Sequence, residues 1–430
     1  MVLTGRAALL AVLGSLVVAV AMPSTTGVLA VSGAIVLLAL VDVAAAGAIR
    51  PLRLTRSGDT SVRLGGAASV VLTVTNPGRR VRGALRDAWP PSAGVADDRV
   101  RVDIPAGERR RFELTLAPTR RGDRQADHVA VRSIGPLGIA GRQRSVSVPW
   151  TVRVLPPFTS RRHLPSRLAR LRELDGRSAV RIRGAGTEFD SLREYVIGDD
   201  TRSIDWRASA RAADVMVRTW QPERDRHVLI VLDTGRTSAG RVGDAPKLDA
   251  AMDAALLLAA LATRAGDRVD LLAYDRVVRA SVERTGPADV LPRFVNAMAT
   301  LESELLETDY RRLAAQIGRR AGRRAFVVLL TGIDAGTIED ALLPALGMLT
   351  RRHTVLVASV SDPRIAEMAA ARGDSTAVYG AAAAARAQMG RARVSELLEH
   401  RGAHVVDALP AELPPAVADR YLDLKAAGKL

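Results

Sequence analysis

From residue 227 onward, short apolar runs alternate with longer segments of helical period, and this alternation limits the fold more than any other feature of the chain. Residues 227–232 are apolar after His227 and stop on Asp233. A strand tolerates such a run when both of its faces are buried, as in a parallel sheet covered by helices. Residues 268–274, 325–330, 354–359 and 403–406 predict further strands. Residues 250–263, 287–300, 309–320 and 337–351, with segments starting at Pro363, Ala383 and Leu413, predict helices. The alternation predicts an α/β doubly wound sheet over residues 224–430. Ligands of such sheets sit beyond the carboxyl ends of strands. Asp233, Asp275 and the stretch Thr331-Gly332-Ile333-Asp334 all fall there.

The amino-terminal part obeys different rules. Residues 7–22 are an unbroken apolar and small-residue run, interrupted by Pro23-Ser24-Thr25-Thr26-Gly27. Residues 28–49 form a second run, with Asp42 as its one charge. About 20 apolar residues suffice to cross a bilayer core as a helix, so residues 1–50 predict a transmembrane helical hairpin. A cleaved signal peptide competes for the first run, because Arg6 precedes it and Ala19-Val20-Ala21 resembles a cleavage site. The second run, arriving within a few residues, argues against it. Arg6 lies before the pair, Arg50, Arg53 and Arg56 lie after it, and the turn carries no basic residue. The positive-inside bias then places both termini and the soluble domains in the cytoplasm, on a two-span protein of the cytoplasmic membrane. Asp42 lies near a helix end, within reach of the interface, which favours a structural role over a functional intramembrane carboxylate.

Residues 59–155 change to a period of two. Strands are predicted at residues 69–75, 99–104, 111–116, 129–134 and 145–154, with turns at Asn76-Pro77-Gly78 and Pro105-Ala106-Gly107. Short strands at this spacing predict a small antiparallel β-sandwich, with a spacer or interaction role. Residues 156–185 form a basic connector, in which Arg161, Arg162, Arg167, Arg170 and Arg172 accompany an apolar side of Leu168, Leu171 and Leu174. It could lie on the membrane surface or on the next domain; a solvated linker helix is the preferred reading.

The formal net charge of +16 is carried almost wholly by arginine, since only Lys247, Lys425 and Lys429 are lysines. The arginines are scattered and aromatic residues make up 3% of the chain, whereas single-strand binders set stacking platforms beside their charge. A nucleic-acid partner is therefore disfavoured, and attraction to an anionic inner leaflet accounts for the charge more simply. The absence of cysteine excludes disulfides, thiolate metal sites and thiol nucleophiles. No phosphate loop of the G-x-x-x-x-G-K-S/T type occurs. The six histidines offer no Ser-His-Asp group, and Gly402 interrupts the pair His400 and His404.

Residues 186–223 hold most of the polar side chains with a plausible specific task. Arg193-Glu194-Tyr195, Gly198-Asp199-Asp200, Arg202-Ser203-Ile204-Asp205-Trp206 and Ser209-Ala210-Arg211 follow closely on one another. Alternating carboxylates and guanidinium groups satisfy one another through bidentate bonds. Two readings stay open: a docking surface or acidic metal pocket, or an ion-pair lattice with Trp206 packed over it, bracing a loop against the next domain. In the first, Asp199, Asp200 and Asp205 would support metal-assisted hydrolysis. In either, the signature residues are Arg193, Glu194, Tyr195, Gly198, Asp199, Arg202, Asp205, Trp206 and Arg211.

The stretch GTEFDSLREYVIGDDTRSIDWRASAR, followed by an apolar strand ending in aspartate, closely resembles the core motif of the domain-of-unknown-function family number fifty-eight. Arg120-Arg121-Gly122 and Ser133-Ile134-Gly135-Pro136-Leu137-Gly138 resemble that family's β-module pattern. The resemblance implies a membrane-anchored bacterial protein with a von Willebrand factor A-like sheet, and a MoxR-type AAA+ ATPase as its partner. It also implies a divalent cation, Mg²⁺, held by a D-x-S-x-S loop, a distant threonine and a later aspartate. Here the loop is Asp233-Thr234-Gly235-Arg236-Thr237, and glycine stands at 332 where the later aspartate would fall. Asp233, Thr237 and Asp334 remain as a degenerate ligand set, with Asp233 capping loop amides as the alternative. The expected function is a non-enzymatic adaptor or scaffold; a metal-assisted hydrolase and a purely structural envelope-assembly protein are the rivals.

Overall fold

The computed structural model describes residues 1–181, 188–197, 199–212, 214–221, 226–322, 324–333 and 338–430. The chain divides into two compact units, Met1–Leu155 and Pro156–Leu430.

The first unit begins with helices α1 (Gly5–Ala21) and α2 (Thr25–Ala45). The 21-residue α2 is long and apolar enough to cross a membrane; the 17-residue α1 is shorter. Ser24 starts α2 by accepting the Gly27 N–H at 3.1 Å. The helix stops short of the predicted residue 49. Gly47 sits so close to the Arg80 carbonyl that a Cβ would lie 2.3 Å from it, and Ile49 and Leu52 turn into the core of the following sheets.

Those sheets are built from β1 (Arg53–Gly58), β2 (Ser61–Arg63), β3 (Ala68–Thr75), β4 (Val81–Asp87), β5 (Arg99–Ile104), β6 (Arg109–Leu116), β7 (Gly122–Ile134) and β8 (Ala140–Leu155). One sheet runs β1–β3–β6 and the other β5–β4–β7–β8, both antiparallel. The short β2 pairs with β8 in parallel, a departure from the all-antiparallel expectation. Alternation explains the arrangement: Ala68, Val70, Leu72 and Val74 of β3 are buried while the residues between them are half-buried. Leu72 and Val74 from one sheet share a core with Val81, Leu85, Val129 and Val131 from the other.

Two expectations are corrected in this unit. Arg56, assigned above to a basic membrane flank, is a buried residue of β1; its guanidinium donates to Asp87 at 2.5 Å and to the Ala126 carbonyl at 2.8 Å. Asp42 is structural, but it does not reach for an interface. It is fully buried and accepts the N–H groups of Leu137 (2.8 Å), Ile139 (2.8 Å) and Ala140 (2.9 Å). The Ser133–Gly138 motif is thereby explained. A Cβ at Gly135 would lie 2.1 Å from the Asp42 carboxylate, and Gly138 has φ +74°, so both glycines let the loop wrap the acid.

The second unit opens with α3 (Leu164–Arg181), then a hairpin of β9 (Glu188–Glu194) and β10 (Met216–Gln221) that encloses α4 (Trp206–Ala212). The remaining elements are β11 (His227–Asp233), α5 (Lys247–Arg264), β12 (Arg268–Tyr274), β13 (Val278–Val282), α6 (Val290–Ala299), α7 (Tyr310–Arg320), β14 (Phe326–Leu330), α8 (Leu343–Thr350), β15 (Thr354–Val360), α9 (Pro363–Ala370), α10 (Ser375–His400), β16 (His404–Ala408) and α11 (Leu413–Ala426). The sheet order is β13–β12–β11–β14–β15–β16, parallel throughout except for β13. Val228 to Leu232 have no exposed surface, as a central strand covered on both faces requires.

The connector is not a solvated linker. Leu171 of α3 is buried, Arg167 holds Asp419 in a two-pronged bond at 2.8 and 3.1 Å, and Arg170 holds Asp423 at 2.6 Å, both on α11. Just upstream, the hydroxyls of Thr159 and Ser160 donate to Asp253 of α5 at 2.5 and 2.7 Å. Helix α10 starts at Ser375 and not at residue 383, because Asp374 accepts the Ala377 N–H at 2.8 Å and sets the first turn.

Candidate functional site

Strand β11 is where the winding changes direction: the chain moves to β12 on one side and to β14 on the other. A crevice opens at such a point beyond the strand's carboxyl end. Asp233, the last residue of β11, is fully buried there. One carboxylate oxygen accepts the Gly235 N–H at 2.8 Å and the Thr308 hydroxyl at 2.5 Å. The other accepts the hydroxyls of Thr237 (3.0 Å), Tyr310 (2.9 Å) and Thr331 (2.5 Å). Three segments converge on one side chain: the loop after β11, the start of α7 and the end of β14.

Local chemistry explains the convergence. Asp309 caps α7 by accepting the Arg312 N–H at 2.9 Å, which sets Thr308 and Tyr310 on either side of the cap. The Arg236 N–H donates to the Leu306 carbonyl at 2.8 Å and draws the two loops together. A Cβ at Gly235 would lie 2.2 Å from the Thr308 hydroxyl, so the serine of a D-x-S-x-S loop has no room at this position. Burial, then the neighbouring Asp233 charge, pushes the Tyr310 phenol well above its ordinary range, and it stays a proton donor.

The described residues of this cluster do not fit a divalent cation. A carboxylate offers about four lone-pair sites, and here five donors fill them. Thr237, which would be a ligand, donates to Asp233 instead, and the Tyr310 hydroxyl bridges Asp233 and Thr331, 2.9 Å from each. Asp334, the third expected ligand, lies outside the described residues. Among the described residues, no group of three or more His, Cys, Asp or Glu side chains is gathered that could hold a metal ion. Millimolar Mg²⁺ is therefore expected to leave the melting temperature where NaCl of equal ionic strength leaves it; a saturable rise would show that the cluster opens for the ion.

Thr308 and Tyr310 were not singled out by sequence. The usable signal was a threonine directly before the predicted start of a helix at Asp309, within the third ligand class of the expected cation motif. The second carboxylate at this rim, Asp275, is equally occupied. It is fully buried and accepts the N–H groups of Arg276 and Val277 and the Arg279 guanidinium at 2.6 Å. Burial would raise its pKa, but the Val277 N–H and the Arg279 guanidinium outweigh that and hold it below the usual carboxylate range.

The signature segment is a capped hairpin. Arg193 donates to Asp199 at 2.6 Å, and the other Asp199 oxygen accepts the Val196 N–H at 3.0 Å. Asp200 accepts the Arg202 N–H at 3.0 Å. Asp205 caps α4 through the N–H groups of Arg207 and Ala208, both at 3.0 Å, and takes the Arg218 guanidinium at 2.7 Å. The Ala208 N–H, then the Arg218 guanidinium, hold its carboxyl below the usual range. The three carboxylates are thus engaged separately. Tyr195 ties the turn by its backbone, its N–H donating to the Val215 carbonyl at 2.7 Å. Glu194, Arg202 and Arg211 form no ion pair among the described residues, and Gly198 lies outside them. Trp206 does not pack over a lattice: it is 68% exposed, because Asp205 starts α4 with the indole at its first position, on the outer side.

With this geometry in hand, residues 191–387 match the family model described as Protein of unknown function DUF58. The chain carries a DUF58 domain. Among curated proteins, uncharacterized proteins of Mycobacterium bovis and Mycobacterium tuberculosis are 27% identical over 194 residues, 44% of this chain and 59% of theirs. The chain thus matches a little over half the length of these relatives. Among solved structures, the CARDB domain of a Pyrococcus furiosus protein, crystallised with di-metal ions, aligns with a TM-score of 0.19 at 16% identity, over 24% of this chain and 86% of that one. A protein of unknown function from Porphyromonas gingivalis aligns with a TM-score of 0.20 at 17% identity, over 34% of this chain and 57% of that one.

Proposed function

We propose that this DUF58 protein is a membrane-anchored adaptor whose von Willebrand factor A-like sheet offers the rim around Asp233 to a MoxR-type AAA+ ATPase and transforms no substrate itself. The observation that carries this reading is the saturated carboxylate of Asp233. A general base or a metal ligand needs a lone pair to give, and five donors hold this one. What the bonds do instead is tie three loops into one preorganised surface at the sheet's switch point, which lowers the entropic cost of docking. On this reading α1 and α2 form a hairpin in the cytoplasmic membrane, with both termini and both soluble parts in the cytoplasm.

The test is binding of the full chain, reconstituted in nanodiscs, to a MoxR-type ATPase from the same organism. Saturable binding that survives loading the chain without divalent cation is expected. Absence of binding would remove the adaptor reading, and hydrolysis by the wild type that Asp205→Ala abolishes would replace it with chemistry at the signature.

A further inference from the structure

The loop that wraps Asp42 does more than hold one helix end. Every N–H from Gly135 to Ala140 has a protein partner. Gly135 donates to the Ala140 carbonyl at 3.0 Å, Gly138 to the Gly135 carbonyl at 3.1 Å, and Leu137, Ile139 and Ala140 to Asp42. Thr4 closes the other side: its hydroxyl donates to the carbonyls of Gly138 (2.6 Å) and Ile139 (3.0 Å), and its N–H to that of Ile139 (2.9 Å). Irregular backbone enters a bilayer only when protein satisfies its polar groups in this way. The outward side chains are apolar. Leu137 is 46% exposed, Leu3, which pairs with Ala140, is 59% exposed, and no charge occurs from residue 134 to 141.

Helix length is the second observation. The 21 residues of α2 reach about 31 Å, the thickness of a hydrocarbon core. Ile139 and Ala140 pack against Ala7 and Ala39, with Leu10 and Val43 against the same cluster. The part of α2 clear of the loop, Thr25 to Leu38, reaches only about 21 Å. A helix that crosses the whole core therefore draws the loop into its edge by about 10 Å. We infer that residues 134–141 are a membrane wedge, with Leu137 and Leu3 against lipid acyl chains at the edge of the core. The carbonyls of Pro136 and Leu137, which no described residue engages, keep the tip at that edge and out of the middle. Arg6 is exposed and has no partner among the described residues; it extends over Gly138, where a Cβ would lie 2.7 Å from its guanidinium. From there the guanidinium reaches lipid phosphate. Asp42 keeps its depth without a cation because the loop brings three amides to it. The inference rests on the membrane-anchor part of the reading above and not on the ATPase.

The chain has no cysteine, so single-cysteine variants carry a spin label at one chosen place. Leu137→Cys keeps the backbone N–H that Asp42 accepts, and Leu3→Cys reads the same depth without changing the loop. Val36→Cys reports the middle of α2, where the side chain is 57% exposed. Ser61→Cys, paired with Arg153 at the far end of β8, reports the water side. Each full-length variant is placed in nanodiscs of phosphatidylglycerol and phosphatidylethanolamine. Oxygen, which concentrates in lipid, and a nickel chelate, which stays in water, then compete to relax the label. The ratio of oxygen to nickel collision rates at positions 137 and 3 is expected to exceed that at 61 severalfold and to approach that at 36. Ratios at 137 and 3 equal to that at 61, with 36 still lipid-like, overturn the wedge and leave the anchor in a locally thinned bilayer. Water-like ratios at all four positions remove the membrane anchor, and the wedge with it.

Discussion

Asp233→Ala is expected to lower the local opening free energy of β11, α7 and the end of β14 by about 3–5 kcal/mol. The substitution removes the common acceptor of one amide and four hydroxyls, all in the interior. Tyr310 and Thr331 can still pair with each other at 2.9 Å, which keeps the loss below the sum of the separate bonds. A domain has a total stability of about 5–15 kcal/mol, so the expected change is a large part of it. Hydrogen exchange followed by mass spectrometry reads the effect where it arises, in peptides from β11 and α7. Asp233→Asn retains one acceptor oxygen and should lose about half as much. Protection equal to wild type in the alanine variant would show that the carboxylate does not organise the rim, and the preorganised surface would lose its foundation.

The second large effect is expected at Asp42. Its carboxylate is the acceptor for three backbone amides of the loop after β7, and Asp42→Ala leaves all three buried without one. A cost of about 3–5 kcal/mol follows if no water replaces the carboxylate. Exchange should accelerate in the peptide spanning residues 133–142 and stay unchanged in the wound sheet. The bond from Arg142 in β8 to the Val43 carbonyl at 3.0 Å lies outside the loop, so the end of α2 stays attached while the loop opens. Undiminished protection of Leu137, Ile139 and Ala140 would contradict this account of the loop motif. The same result bears on anchoring. The one charge of α2 is held by the β module's own backbone, so this helix end is fixed to folded protein.

The two sites show where local pattern suffices and where it does not. The parallel strands β11, β12, β14 and β15 were visible because burial on both faces demands continuous apolar runs, and these runs are too short for a buried helix. The edge strand β13 was missed because its pattern, Val278-Arg279-Ala280-Ser281-Val282, buries only Val282. β1 was missed because Arg53 and Arg56 looked like a basic flank, although pairing with Asp87 carries Arg56 inside. The hairpin around the signature was missed because its carboxylates cap turns, and capping leaves no periodic trace.

By itself, the sequence determined the α/β alternation, an apolar helix long enough to cross a membrane and the DUF58 signature. Each of these is written in neighbouring residues: two-faced burial, helix length, and a run of side chains that serve one another locally. Tertiary structure alone decided that Asp233 would be enclosed by Thr308, 75 positions away, and Thr331, 98 away. It alone decided that Asp42 would be held by a loop 95 to 98 positions on. Burial is a property each segment carries for itself, whereas the partner of a buried carboxylate depends on which loops the winding of the chain brings to the same end of a sheet.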